Sequence, residues 1–283
     1  MTTNHIGISG GKDSTALLLW AVYESGYPSE SLSVTFCDTG NEHELTYAQI
    51  RLLSERVHPV ATLKPPLDFY QLAHKKGRFP SPTRRFCTQH LKLIPTREHV
   101  KKLLLAGDDV LLHSGVRADE STERAGLPER QWDDYFDAEV YRPLLRWTID
   151  DVWAIHERYG IPRNPLYALG AKRVGCLPCI MSRKDEVRMI AKRFPARIDL
   201  IREAERSVPS RAGIATFFSR KTTPLAQRSR ELITKKGERM FVPTIDDVVR
   251  WSQTARGGLQ YLLDFEDASD DIGLCPSSFG ACE

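Results

Sequence analysis

No apolar run in the chain approaches the ~20 residues that cross a bilayer. The first residues, Met1-Thr2-Thr3-Asn4-His5, carry neither the basic start nor the apolar stretch of a secretory signal, so a cytoplasmic location is expected, with no membrane partner. There is no internal repeat and no low-complexity tract, which removes solenoids and disordered linkers. Excess charge of one sign is small: the net charge is +3 over 283 residues, which suits anionic ligands without by itself indicating nucleic acid. Among the six cysteines no two are adjacent. In a reducing compartment they are not expected to form a disulfide framework, and Cys176-x-x-Cys179 reads instead as a metal, cluster or redox site.

What is present is ordinary for a protein that buries a core, with 41% hydrophobic and 27% charged residues. His5-Ile6-Gly7-Ile8 reads as a buried strand running into a glycine pair. Thr15 to Val22 then shows helical periodicity that stops near Gly26-Tyr27-Pro28. Leu32 to Phe36, Val60 to Leu63 and Asp109 to His113 read as further strands, with a helix over Glu44 to Val57. Strands alternating with helices imply right-handed βαβ units and a parallel sheet, whose ligands sit beyond the carboxyl ends of the strands. Residues 9–15, 37–44 and 114–124 are thereby placed along one edge. Further on, Asp150 to Tyr159 reads as a helix. Residues 182–206 read as a long charged helix with a break at Pro195, and Thr244 to Trp251 as a short helix. The segment from Lys172 to Arg230 is basic and the tail from Asp264 to Asp271 acidic, most simply a solvated helical face and a loose end.

The strongest motif is Ser9-Gly10-Gly11-Lys12-Asp13-Ser14, between a strand and a helix. Glycines let backbone N–H groups approach phosphate oxygens, and the helix N-terminus adds a positive dipole end. Ser9 and Ser14 offer hydroxyls, Lys12 offers charge, and Asp13 is a candidate Mg²⁺ ligand. The Walker spacing is absent. Arg117 follows a strand and offers a fork to a phosphate or sulfate, or else an ion pair with Asp119 or Glu120. Arg84, Arg85 and Lys92 flank Cys87 and offer a second anion site, or else a solvated basic loop. Cys37 reads as a strand-end residue rather than a nucleophile.

The loop from Ser9 to Ser14 resembles the PP-loop of ATP pyrophosphatases. Phe36-Cys37-Asp38-Thr39-Gly40 with Glu42 and Glu44, Ser114-Gly115-Val116-Arg117 with Glu120-Ser121 and Arg124, and Asn164-Pro165-Leu166-Tyr167 resemble segments of phosphoadenylyl-sulfate reductases. The resemblance implies a Rossmann-like (adenine nucleotide alpha hydrolase-like) α/β fold, a parallel sheet flanked by helices, with a helical C-terminal extension. It implies a nucleotide-binding domain over 1–170, and a Cys-x-x-Cys segment with a mostly helical region over 171–283. ATP contacts fall on Ser9 to Ser14, Asp38, Thr39, Gly115 and Arg117. The catalytic set it implies is Lys12, Asp13, Arg117, Cys176 and Cys179, with Mg²⁺ as cofactor.

The C-terminal Glu-Cys-Gly motif of those reductases is absent, as is the adjacent Cys-Cys pair of the iron–sulfur adenylyl-sulfate reductases. Phe86-Cys87-Thr88 with Leu91-Lys92 and Pro95, then Gly175-Cys176-Leu177-Pro178-Cys179 with Arg183-Lys184-Asp185, is similar to the DndC and SspD proteins of DNA phosphorothioation, by length closer to SspD. This implies an ATP pyrophosphatase that adenylates an acceptor for sulfur insertion. A cysteine desulfurase would be its donor, with DNA or a DNA-modifying complex as partner and a homo-oligomer as a compatible state. Reduction of phosphoadenylyl or adenylyl sulfate to sulfite is the alternative, and a non-catalytic nucleotide-sensing or desulfurase-docking module a second. Cys87, Cys176 and Cys179 are candidate ligands of a [4Fe-4S] cluster, the fourth position being Cys275, Cys282 or open; zinc, or a metal-free persulfide pair, are the alternatives. Arg173, Arg183 and Lys184 are expected to lower the thiol pKa values.

Overall fold

In the computed structural model the described residues are 2–255, apart from 211, 212, 214 and 234–236. Strand β1 (Thr2–Ile8) is followed by α1 (Lys12–Tyr23), β2 (Leu32–Cys37), α2 (Glu44–Arg56), β3 (Ala61–Leu63) and α3 (Phe69–Lys76). A short α4 (Phe86–Thr88) passes through a π-type turn over 89–93 into α5 (Ile94–Leu105) and β4 (Asp109–His113). Then come α6 (Thr122–Ala125), β5 (Arg130–Asp133), β6 (Ala138–Tyr141), α7 (Ile149–Arg158) and α8 (Pro165–Ala168). The last elements are α9 (Lys184–Arg193), α10 (Pro195–Ser207), the strands β7 (Arg230–Ile233) and β8 (Arg239–Val242), and α11 (Ile245–Ser252).

The main sheet has the order β3-β2-β1-β4-β6-β5, parallel throughout except for β5. The chain leaves β1 toward β2 on one side and returns to β4 on the other. A crevice therefore opens beyond the carboxyl ends of β1 and β4, where this class of sheet binds ligands. β1 is flanked on both edges, with Ile6 opposite Val34 on one side and His113 on the other. This explains why His5, Ile6 and Ile8 are all buried rather than alternating. α1 is apolar nearly all round, with Leu17, Leu18 and Leu19 each fully buried, because it lies between the sheet and α7. This is the expected Rossmann-like α/β arrangement, a mostly parallel sheet flanked by helices.

The expected break at Pro195 divides residues 182–206 into two helices. α9 ends at Arg193, Phe194 takes a non-helical conformation, and Pro195 opens α10. Proline lacks the N–H that helix continuation needs and pushes its predecessor out of the helical region. The expectation of a mostly helical C-terminal region omitted the antiparallel hairpin β7–β8, and the pair β5–β6 at the sheet edge was not expected either. A separate apolar core joins Ile190, Ile198, Ile201, Phe217, Phe218 and Trp251 to Phe69, Leu72, Phe79, Phe86 and Leu91, so this packing takes side chains from both sides of residue 170. Gly77 closes α3 in the left-handed conformation, and a Cβ there would lie 2.8 Å from the carbonyl oxygen of Pro209.

One buried carboxylate organises that second core. Glu205 is 5% exposed and accepts the backbone N–H of Phe217 at 2.8 Å and of Ile245 at 3.0 Å. Burial pushes its carboxyl up to about 7, against the pull of those two N–H groups and of Arg230. The folded protein therefore holds this proton more tightly than the unfolded chain does. The contribution is full below the ordinary glutamate range and is lost as pH rises through 7. We predict that the stability difference between wild type and Glu205→Gln, measured by urea unfolding, is largest at about pH 4 and below and shrinks by up to about 3 kcal/mol by pH 8.

Candidate functional site: a phosphate loop beside a thiol cavity

β1 ends at Ile8, and the next residues turn sharply into α1. Gly10 has φ +73°, a conformation that disfavours a side chain, and a Cβ there would lie 3.3 Å from the Thr46 methyl. Ser14 Oγ accepts the Ser9 N–H at 3.1 Å and donates to the Gly11 carbonyl at 3.2 Å, while the two serine hydroxyls sit 3.1 Å apart. The loop is braced from the second half of the chain. The Lys12 N–H donates to the Tyr167 hydroxyl at 2.9 Å, Asn164 Nδ2 donates to the Gly10 carbonyl at 3.2 Å, and His156 Nε2 donates to the Lys12 carbonyl at 2.9 Å. Burial holds the His156 ring below its ordinary pKa, consistent with a neutral donor.

The charged residues of the loop are paired with one another. Asp13 accepts from Lys12 Nζ at 2.7 Å and from Arg117 Nε at 2.6 Å, and Arg117 Nη1 donates to the two Asp119 oxygens at 2.5 and 2.6 Å. Burial opposes the Arg117 charge, but Asp13 and Asp119 outweigh it and raise its pKa. Both sequence alternatives for Arg117 thus bear on one buried side chain: it follows the strand as a fork would, and its partners are carboxylates. Both oxygens of Asp13, the Mg²⁺ candidate, are occupied by cations.

Two cavities meet at the strand ends. The first is lined by Ser9, Ser14, Cys37, Glu42, His113 and Gly115 among others. The second is lined by Thr39, Arg85, Cys87, Arg173, Cys176 and Cys179 among others, and Lys92 and Gly175 line both. The structure therefore brings Ser9, Ser14 and Gly115 to the first cavity and all three candidate thiols to the second. Lys12, Asp13 and Arg117 lie in the ion-pair cluster behind the loop. Asp38 is turned away, accepting from the Tyr47 hydroxyl at 2.7 Å and the Gly40 N–H at 3.0 Å. Cys275 and Cys282 lie outside the described residues.

The Cys-x-x-Cys segment is stitched to the turn after β2. The Leu177 N–H donates to the Asn41 carbonyl at 2.8 Å, and Asn41 Nδ2 donates to the Pro178 carbonyl at 3.0 Å. Buried Glu42 accepts the Thr39 N–H and hydroxyl at 3.1 and 2.7 Å and the Cys176 thiol at 3.7 Å. Sequence reasoning gave no structural role to Glu42, Tyr167, Asn164 or His156, because each acts on a partner remote in the chain or, for Glu42, on a thiol 134 positions away.

The expectation of thiols acidified by Arg173, Arg183 and Lys184 is not met. Lys184 is turned to Thr254 and Trp251, and of the three only Arg173 lines the thiol cavity. Burial pushes the Cys87 thiol up to about 11, with Cys179 adding and Lys92 opposing. Burial and Glu42 likewise raise Cys176 against the pull of Lys92. Cys37, also raised by burial, is held by Thr96 and the Lys92 carbonyl, as a strand-end residue would be. Burial disfavours the Lys92 ammonium, but Cys176, Glu42 and Cys179 outweigh it and raise its pKa. Among the described residues, that ammonium makes no hydrogen bond or ion pair. Three thiols around one cavity suit a soft metal or cluster in kind. Their placement does not close around a point, since among the described residues no three His, Cys, Asp or Glu side chains are arranged to hold a metal ion.

Comparison with known proteins gives the family. A 37.8 kDa uncharacterised protein in the gpa 5′ region of Escherichia phage 186 is 36% identical, over all of this chain and 97% of that protein. Adenosine 5'-phosphosulfate reductase 1 of Bacillus subtilis is 31% identical over 153 residues, and the reductase of Allochromatium vinosum 38% over 98 residues. The matches span 52% and 35% of this chain, and only 61% and 36% of the two reductases. The crystal structure of phosphoadenylyl-sulfate reductase from Candida auris superposes with a TM-score of 0.48 at 21% identity, over 62% of this chain and 82% of that one. The phosphoadenosine phosphosulfate reductase domain matches residues 3–182, and the chain belongs to that family.

Proposed function

We propose that this chain is a nucleotide-dependent sulfur-transfer enzyme that splits ATP into AMP and pyrophosphate. The observation that carries the reading is the shared wall of the two cavities: Lys92 and Gly175 line both the space beside the PP-loop and the space that holds Cys87, Cys176 and Cys179. A nucleotide phosphate in the first cavity and a sulfur atom in the second would meet at the Lys92 ammonium.

The chemistry follows from that placement. Backbone amides of the loop, the Ser9 and Ser14 hydroxyls and Lys12 would stabilise charge on the transferring phosphate. Mg²⁺, if it joins Asp13, must displace Lys12 or Arg117 from that carboxylate. An acceptor oxygen attacks the α-phosphorus, the bond to the bridging oxygen breaks, and pyrophosphate leaves. Sulfur carried as a persulfide on a cavity cysteine then attacks the activated acceptor and AMP leaves with the oxygen. A second cavity thiol attacks the carrier sulfur, frees the product and leaves a disulfide, which a dithiol reductant reopens. Lys92 is placed to stabilise the attacking persulfide anion, since buried thiols with raised pKa values need a nearby cation to ionise. A [4Fe-4S] cluster would take Cys87, Cys176 and Cys179 and would supply iron able to bind sulfide; because those residues do not close into a ligand set as placed, no step is assigned to it.

On the resemblance to phosphorothioation proteins, we assign the sulfur donor to a cysteine desulfurase and the acceptor to the DNA backbone. In support, no Asp or Glu occurs from Phe69 to Arg97, and Lys75, Lys76, Arg78 and Arg84 within that stretch are exposed. A second reading, reduction of adenylyl sulfate to sulfite, is favoured by the names of the matching reductases.

The decisive experiment follows pyrophosphate from ATP and Mg²⁺ in the presence of a sulfur donor, and sulfite from adenylyl sulfate with a dithiol. Pyrophosphate release is expected. Sulfite without pyrophosphate would replace this reading by the second, and neither product would remove both. Lys12→Ala is expected to slow pyrophosphate release about 10²–10³-fold, checked by a coupled phosphate assay. Cys176→Ser is expected to abolish sulfur transfer, followed with ³⁵S-labelled donor, while leaving ATP binding by calorimetry within about threefold of wild type, because the thiol lies beyond the phosphate cavity.

A further inference from the structure

We propose that Asp119 is an internal stand-in for a nucleotide phosphate: it holds Arg117 in the nucleotide-free protein and gives it up when a phosphate arrives, so that Asp119 sets the affinity of the site. The inference rests on the nucleotide-binding half of the function proposed above, not on the fate of the sulfur.

The four charges at the loop form a closed set. Lys12 and Arg117 are cations, Asp13 and Asp119 anions, and every one of them has its partner within the set. The two carboxylates differ in position. The Asp13 side chain is 9% exposed and lies at the start of α1, gripped by two cations. The Asp119 side chain is 49% exposed and sits on a single 3-10 turn, Ala118–Glu120. Arg117 itself is 4% exposed and cannot lose a partner to water without cost.

Only Nε and Nη1 of its guanidinium are used, by Asp13 and Asp119 respectively, and among the described residues Nη2 makes no hydrogen bond. The strand-exit backbone is already pressed on the phosphate loop: a Cβ on Gly115 would lie 3.3 Å from the Asp13 carbonyl oxygen. Gly115 and Ser114 line the first cavity, two and three residues from Arg117. Arg117 itself lines neither cavity as placed, so a phosphate must recruit it; one that takes the guanidinium as a two-nitrogen fork uses Nη1 together with the unused Nη2 and so displaces the half-exposed carboxylate, while Nε stays fixed to the loop. Exchange of Asp119 for phosphate keeps Arg117 doubly paired and moves one carboxylate into water, where it is well solvated. Exchange of Asp13 would bury that carboxylate with only Lys12. The exchangeable partner is Asp119.

Competition between an internal anion and a ligand for one cation lowers the apparent affinity of the ligand. Removing the internal anion should tighten binding while destabilising the empty protein. Structural support by Asp119 alone would weaken both. ATP binding is measured by calorimetry and by the ATP-induced rise in Tm for wild type, Asp119→Asn, Asp119→Glu and Asp134→Asn, the last an exposed carboxylate in the turn between β5 and β6 that serves as a matched charge control. The expected result is that Asp119→Asn lowers the unliganded Tm yet binds ATP about tenfold more tightly, with a larger ATP-induced rise in Tm. Asp119→Glu and Asp134→Asn should bind as wild type does. If turnover is present, KM for ATP falls in Asp119→Asn and kcat does not rise.

Unchanged or weaker ATP binding in Asp119→Asn, or an equal gain in Asp134→Asn, overturns the proposal. Wild type that binds ATP without releasing pyrophosphate leaves this test intact and removes only the turnover reading. Wild type that binds no ATP overturns both.

Discussion

A buried carboxylate that must be satisfied sets the geometry of this protein. Glu42 sits in the turn beyond β2 with almost no exposure. It can remain there because Thr39 donates its N–H and hydroxyl and Cys176 its thiol. Thr39 shapes the turn. Cys176 comes from the far end of the family domain and brings the Cys-x-x-Cys segment with it, while Asn41 fastens the backbone on either side. Arg197 of α10 closes the same turn by donating to the Glu42 carbonyl at 2.7 Å. Thiol cavity and C-terminal helices are thus fixed to one short stretch of chain.

Much of this was legible in the sequence, for reasons that can be stated residue by residue. The parallel sheet could be read because β1, β2 and β4 are short apolar runs ending in polar or glycine-rich loops, and the topology that puts those loops together follows from the handedness of βαβ units. The Ser9 to Ser14 loop was legible because glycine, serine and lysine at that spacing have a physical purpose between a strand and a helix. The grouping of Cys87 with Cys176 and Cys179 was an inference from chemistry, and in the structure the three line one cavity. The strands β5 to β8 were not legible: Arg130 to Asp133 is four polar or aromatic residues, with no alternation to read.

The electrostatics of the site were the least legible part. Counting basic residues near the cysteines in the sequence pointed to Arg173, Arg183 and Lys184; of these Arg173 lines the cavity, and Lys184 is turned to Thr254 and Trp251. The cation that faces the thiols is Lys92, delivered by the π-type turn between α4 and α5, and no local pattern announces where that turn aims a side chain. Burial, which sequence position does not reveal, outweighs that cation at Cys87. Likewise the sequence offered Arg117 a phosphate or a carboxylate as partner, and the fold supplies two carboxylates.

The hydroxyl of Tyr167 on the Lys12 amide has a consequence for selectivity. In the empty protein it takes the place of a solvent molecule at the mouth of α1, so the amide never waits unpaired. Tyr167 is itself held edge-on to Trp153, whose ring centroid is 5.5 Å away and whose face carries Arg163 at 4.1 Å. A ligand that takes that amide must outcompete a phenol oxygen, which is a weak acceptor, and an acceptor that carries charge, such as a phosphate oxygen, does so most strongly. The tyrosine is thus a replaceable partner that keeps the amide paired while the loop is empty.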